Sequence, residues 1–213
     1  MKTKLLFVAS LVLAAAVVAN ASPTLTVGTP GWAGSSPATP PSPIISSKLI
    51  NFDNLTAYAT YSSLTQKGVT FSSPDGLQVL PYSDQSGPNY LYDNSLDGSA
   101  DLSITVANGV RGIGVGIAGD SDDVPLFLEA LGAGGTDLGT FQITIPDDGY
   151  NAFNGYYVVT DTSADIYGLK ITQGSGAFGL AIDDVQVTPE PASLPLLLTG
   201  LVGLGGFRFR KRA

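Results

Sequence analysis

Between residues 48 and 187 apolar and polar positions alternate in short runs, most clearly in Leu102-Ile104-Val106 and Phe141-Ile143-Ile145. Side chains one residue apart point to opposite faces of a strand, so this period of two predicts strands buried on one side. The runs fall at 48–53, 57–61, 68–72, 76–82, 89–93, 100–107, 110–118, 124–131, 137–146, 155–160, 165–172 and 178–187, with Gly, Asn, Asp and Ser between them. No stretch of ten residues carries an apolar period of 3.6. Many short strands with closely spaced turns predict an all-β domain, an antiparallel β-sandwich of jelly-roll type. No fixed repeat period supports a solenoid.

The two ends break this pattern. MKTKLLFVASLVLAAAVVANAS begins with Lys2 and Lys4, continues as an apolar stretch from Leu5 to Val18, and reaches the small-x-small sequence Ala19-Asn20-Ala21. It reads as a secretory signal peptide over residues 1–21, cut between Ala21 and Ser22. Residues 22–47 hold six prolines among Ser, Thr and Gly. This composition predicts an extended, solvated spacer ahead of the sandwich at 48–187. At the other end, residues 188–213 contain an uncharged apolar run, 194–207, followed by Arg208, Arg210, Lys211 and Arg212. As a helix the run is roughly 21 Å long, short of the ~30 Å hydrocarbon core, although arginines at its end can reach to the interface. Basic residues after an exported domain place this terminus on the cytoplasmic side.

Charge and missing residue types narrow the chemistry. Between Lys4 and Arg208 only Lys48, Lys67, Arg111 and Lys170 are basic, against all 18 carboxylates, a net charge of −14. Such a surface disfavours nucleic acid and anionic lipid. With no Cys and no His, disulfides, thiolate nucleophiles, Cys/His zinc sites and Ser-His-Asp triads are excluded. Only two Glu occur, Glu129 and Glu190, and no spacing selects a pair of carboxylates for glycoside hydrolysis.

Two features remain as candidate sites. Tyrosines concentrate in NYLYD (89–93) and in GYNAFNGYY (149–157), where Tyr90, Tyr92, Tyr156 and Tyr157 are candidates to stack on sugar rings. The competing reading is ordinary packing within strands. The last run, AIDDVQV (181–187), has two adjacent Asp in a strand; strict alternation sends Asp183 to the side of Val185 and Val187, and Asp184 to the other. This segment resembles the closing strand of jelly-roll carbohydrate-binding-like domains. That resemblance implies a structural calcium ion held by Asp53, in the opening NFDN (51–54), with Asp183 and Asp184. The alternative is that these Asp cap turns or sheet edges. The loops GDSDDVP (119–125) and IPDDGYN (145–151) lack a complete twelve-residue calcium pattern and read as solvated turns.

The tail carries the more specific likeness. Pro189-Glu190-Pro191, a short apolar helix and an Arg-rich end, in that order at the C-terminus of a chain with a signal peptide, resemble the PEP-CTERM sorting signal of Gram-negative bacteria. The resemblance implies Pro189, Glu190 and Pro191 as the motif read by an exosortase, and Arg208, Arg210, Lys211 and Arg212 as a stop-transfer flank. It further implies delivery to the cell surface or the exopolysaccharide matrix. The expectation is therefore an exported, non-catalytic surface protein whose sandwich binds extracellular polysaccharide. A surface glycosidase or lyase, or a purely adhesive structural protein, is the alternative.

Overall fold

Alternation over residues 48–187 becomes two facing layers joined by strands that bend from one to the other. The computed structural model describes residues 22–28, 48–81, 88–94, 101–119, 125–144, 155–163, 165–173 and 180–188. Twelve strands run in chain order: β1 Thr24–Val27, β2 Lys48–Ile50, β3 Thr60–Gln66, β4 Val69–Leu80, β5 Tyr90–Asp93, β6 Asp101–Val110, β7 Gly112–Gly119, β8 Pro125–Leu131, β9 Asp137–Thr144, β10 Gly155–Thr160, β11 Ile166–Gln173 and β12 Leu180–Thr188. Every pairing among them is antiparallel. The described residues contain no α-helix, only a 3₁₀ turn at Ala133–Gly135.

Hydrogen bonds connect the strands in the order β1-β10-β7-β12-β5-β4-β6-β11-β8-β9, with β2 added to β12 and β3 to β4. The first layer is β1-β10-β7-β12, flanked by β2, β5 and the far half of β4. The second is the near half of β4 with β6, β11, β8 and β9. Strand β4 belongs to both: Val69–Ser72 pair with β6, whereas Leu77–Leu80 pair with β5. The crossover passes through Ser73-Pro74-Asp75-Gly76, where Gly76 has φ +84°, a conformation that favours glycine. Buried Asp93 fastens this corner by accepting from Ser73 Oγ at 2.5 Å and from Asp101 N–H at 3.1 Å. Burial, the largest influence, pushes the Asp93 carboxyl above its ordinary value, against the lowering effect of those bonds.

The layers close on one core that includes Ile113, Val115 and Ile117 of β7, Leu102 and Ile104 of β6, and Leu126 and Leu128 of β8. Phe52 and Phe71 meet edge to face, with ring centroids 5.2 Å apart. All of these side chains are fully buried.

Three local differences from the sequence reading have physical causes. Residues 24–27 lie within the expected spacer, yet they form β1, because TLTV alternates and the outer edge of β10 offers it a ladder; Leu25 packs on the core. The runs at 68–72 and 76–82 are one bent strand rather than two. The run at 57–61 enters its strand only at Thr60, because Tyr58 and Ala59 together oppose Val79: Tyr58 N–H donates to Val79 O at 2.7 Å, and Val79 N–H to Ala59 O at 2.9 Å. This is a bulge, and its first residue, Tyr58, has φ +63°. The expected signal peptide with Ala21, the sorting residues Pro189, Glu190 and Pro191, the helix at 194–207 and the basic end Arg208–Arg212 lie outside the described residues.

Candidate functional site

The outward face of the first layer is where the sequence-predicted side chains meet. Register places Tyr156 and Val158 of β10, Gly114, Gly116 and Ala118 of β7, Ala181 and Asp183 of β12, and Tyr90 and Tyr92 of β5 on this face. Gln78 and Leu80 of β4 continue it. Core residues alternate with them at every step, so the face exists because the strands keep a period of two.

β12 departs from that period. Asp183 pairs with Gly116 and Gln186 with Gly114, so β12 carries one residue more than β7 across this interval, and Asp184 takes φ +49°. The bulge restores Val185 and Val187 to the core beside Ile182, while Asp183 stays on the outward face with Ala181. The alternation expected for AIDDVQV, with Asp183 on the side of Val185, is thereby corrected. Asp183 is nonetheless completely buried, and Asp184 is half-buried.

Tyr156 locks this bulge. Its hydroxyl donates to Asp184 O at 2.9 Å, and its ring lies over Gly114, where a Cβ would come within 2.9 Å of the ring. Burial chiefly, and then the charges of Asp184 and Asp183, drive the Tyr156 hydroxyl far above its ordinary pKa. Its exposure is 1%, so the ring offers no free platform. Tyr157, the next residue, points the opposite way into the core and is 4% exposed; burial also raises its pKa. Neither member of this pair is placed to stack on a sugar, and the parity of adjacent strand positions is the reason for Tyr157.

Tyr90 and Tyr92 behave differently. They form a second apolar cluster, separate from the main core, with Ala118, Ala181 and Leu80. The two alanines make a low floor, and Tyr92 and Leu80 are its half-exposed members, whereas Tyr90, expected to stack on a sugar, is buried at 8% exposure. Beside it, on the other side of β4, the bulge presents Tyr58 with 63% of its surface exposed. Sequence reading did not single out Tyr58 as an exposed ring because its display depends on a positive φ and on Val79, neither of which leaves a local signal; a Tyr within AYATY looks like any strand residue.

For the expected calcium ion, the topology does bring opening and closing strands together, with Ile50 opposite Val185. The donors do not converge. The Asp53 carboxylate accepts from Asn51 Nδ2 at 2.7 Å and from Asn89 N–H at 3.4 Å, and the Asp184 carbonyl is taken by Tyr156. Among the described residues no three acidic side chains gather closely enough to hold a metal. Asp53, Asp183 and Asp184 as they stand do not fit a calcium site. Asn89 instead ties the loop down, donating through Nδ2 to Asp53 O at 3.2 Å and Leu55 O at 3.1 Å.

No protein-family model matches the chain, and no characterised protein matches it in sequence. Among solved structures it is similar to the carbohydrate-binding module TmCBM61 in complex with β-1,4-galactotriose, at 16% identity and TM-score 0.39, over 58% of this chain and 90% of that one. It is similar also to the family 11 carbohydrate-binding module of the cellulase Lic26A-Cel5E of Clostridium thermocellum, at 11% identity and TM-score 0.35, over 67% and 95%. An exo-β-agarase matches at 12% identity and TM-score 0.41, over 68% of this chain but only 25% of its own. At these values, what this chain binds has to be read from its own residues.

Proposed function

We propose that the sandwich is a non-catalytic carbohydrate-binding domain of an exported surface protein, with polysaccharide lying across the outward face at Tyr92, which packs in one cluster with buried Tyr90. The observation that carries this reading is the second apolar cluster outside the core. A pyranose has a C–H face that stacks on a tyrosine ring and a hydroxyl rim that needs hydrogen-bonding partners. Tyr92 and Leu80 supply the apolar contact, Ala118 and Ala181 leave room beside it, and Gln78 brings an amide to the same face. The acidic character of the chain favours a neutral polysaccharide over an anionic one.

The test is retention of the full-length protein in affinity electrophoresis through gels holding neutral polysaccharides, including the producer's own exopolysaccharide. Tyr92→Ala is expected to weaken retention about tenfold, the scale of one lost stacking contact. Equal retention of wild type and Tyr92→Ala, or no retention on any polysaccharide, would sink the proposal.

Export belongs to the same proposal and is supported by sequence alone: the 1–21 leader, Pro189-Glu190-Pro191 as an exosortase motif, and the basic flank. Deleting Leu194–Ala213 is expected to release the protein into the medium or alter its mature mass. Unchanged surface retention and mass would count against sorting by the tail.

A further inference from the structure

One end of the sandwich, where β1 and β7 begin and β10 and β12 finish, holds a cavity of about 290 Å³ that the outward face does not include. Arg111 and Asp161 line it together with the hydroxyl residues Ser22, Thr24, Thr160 and Thr188. It shares Ser22 and Asp161 with a neighbouring cavity of about 390 Å³. The backbone holds the two charged residues at the strand ends: Arg111 N–H donates to Thr188 O at 3.0 Å, and Asp161 N–H to Arg111 O at 2.8 Å.

Their side chains are less fully engaged. Lys170 pairs with Asp101 at 2.9 Å, and Lys67 Nζ donates to Leu49 O at 2.7 Å. Arg111 forms no ion pair with Asp161, and its Nε is closed off from solvent without a hydrogen-bond acceptor. Asp161 is 7% exposed. Its Oδ1 accepts from both the N–H and the hydroxyl of Ser163, at 2.7 and 2.6 Å; Oδ2 takes no part in that turn.

We propose that this cavity is a second ligand site, for a single neutral pyranose unit that sets two vicinal hydroxyls between Arg111 and Asp161. An anion would face the Asp161 carboxylate, and a cation would face the Arg111 guanidinium. A vicinal diol meets both, because one hydroxyl oxygen accepts from the part of the Arg111 guanidinium that lines the cavity while the neighbouring hydroxyl donates to Asp161 Oδ2. The threonine and serine hydroxyls around them each donate and accept, as a sugar rim requires. The cavity volume lies at the small end of ligand sites, roughly 300 Å³, and suits one ring rather than a chain. The ligand class rests on the carbohydrate reading of the domain, but the site is a different one, without tyrosine stacking at its centre.

The test titrates the full-length protein with methyl glycosides of neutral hexoses, with their deoxy analogues lacking one hydroxyl of the pair, and with the matching uronates, followed by ligand-observed NMR. Binding of a neutral glycoside is expected, weakened about tenfold in Arg111→Gln and in the deoxy analogue. Tyr92→Ala is expected to leave it within about twofold, since distant sites behave independently. Thr162→Trp, at an exposed position on the cavity wall, is expected to block binding without disturbing the fold, so it holds the test open if Arg111→Gln is unstable. Unchanged affinity in both Arg111→Gln and Thr162→Trp, tighter binding of the uronate than of the neutral sugar, or no glycoside binding by the wild type would overturn the end site. If Tyr92→Ala alone removes all sugar binding, the face reading stands and this one falls. If Arg111→Gln and Thr162→Trp alone remove it, the reverse holds.

Discussion

Two pairs of tyrosines in this domain look alike along the chain and end in different environments. Tyr156 and Tyr157 are adjacent, so one enters the main core and the other lies on the outward face, where Gly114 lets its ring settle and its hydroxyl hold the Asp184 bulge. Tyr90 and Tyr92 are two apart, so both stand on the outward face and gather into a cluster of their own. Spacing by one divides a pair between the core and the outward face; spacing by two keeps both on one face. A run of aromatics is therefore informative about binding only once its parity relative to the core is known.

The comparison is broken most severely at Tyr157. Tyr157→Ala is expected to destabilise the fold by about 3–5 kcal/mol, as for other large aromatic deletions from a core, and a thermal melt reads this directly; a change under 1 kcal/mol would mean Tyr157 is not a core residue. Next comes Gly114→Val, which drives a side chain into the Tyr156 ring. Overpacking of this kind costs about 1–3 kcal/mol, and combining it with Tyr156→Ala should recover much of the loss in a double-mutant cycle. If the two changes simply add, the ring does not depend on the glycine. Tyr156→Phe, which removes only the hydroxyl bond to Asp184, is expected to cost about 1 kcal/mol in chemical denaturation. Tyr92→Ala should shift stability least of the four while weakening polysaccharide retention about tenfold. The opposite outcome, a large loss of stability with retention intact, would exchange the roles assigned to the two pairs.

A smaller effect sharpens the account of the β4 corner that places Gln78 and Leu80 on the platform. Because the Asp93 pKa is raised in the folded protein, the folded chain holds this proton more tightly than the unfolded chain does. The associated stability is complete below the unfolded carboxylate value and is lost as pH rises through the folded one. Melting temperature should carry a downward contribution with rising pH in that window, and Asp93→Asn should flatten it. An unchanged slope in the variant would assign the effect to another carboxylate.

Much of the architecture was legible in the alternation. Leu102-Ile104-Val106 and Phe141-Ile143 lie in strands at the expected places, because a half-buried strand has to alternate whatever its partners are. Less could be read where the backbone leaves the regular strand. The bulge at Asp184 reversed the face expected for Asp183, and the bulge at Tyr58 exposed a ring that sequence leaves among ordinary strand residues. Both depend on a partner strand distant in the chain, through Gly116 and Gly114 in one case and Val79 in the other. For the same reason Arg111 and Asp161, fifty residues apart, carry no joint signal in the sequence.

The sequence by itself determined the class of fold, the acidic balance, the absence of thiol and imidazole chemistry and the unusual character of both ends, since these follow from composition and from a local period. Only the tertiary structure decided which tyrosines look outward, that Thr24–Val27 joins the sheet, and that Asp183 lies on the face opposite Val185. Those outcomes rest on strand register and bulges, which are set by pairing between residues far apart along the chain.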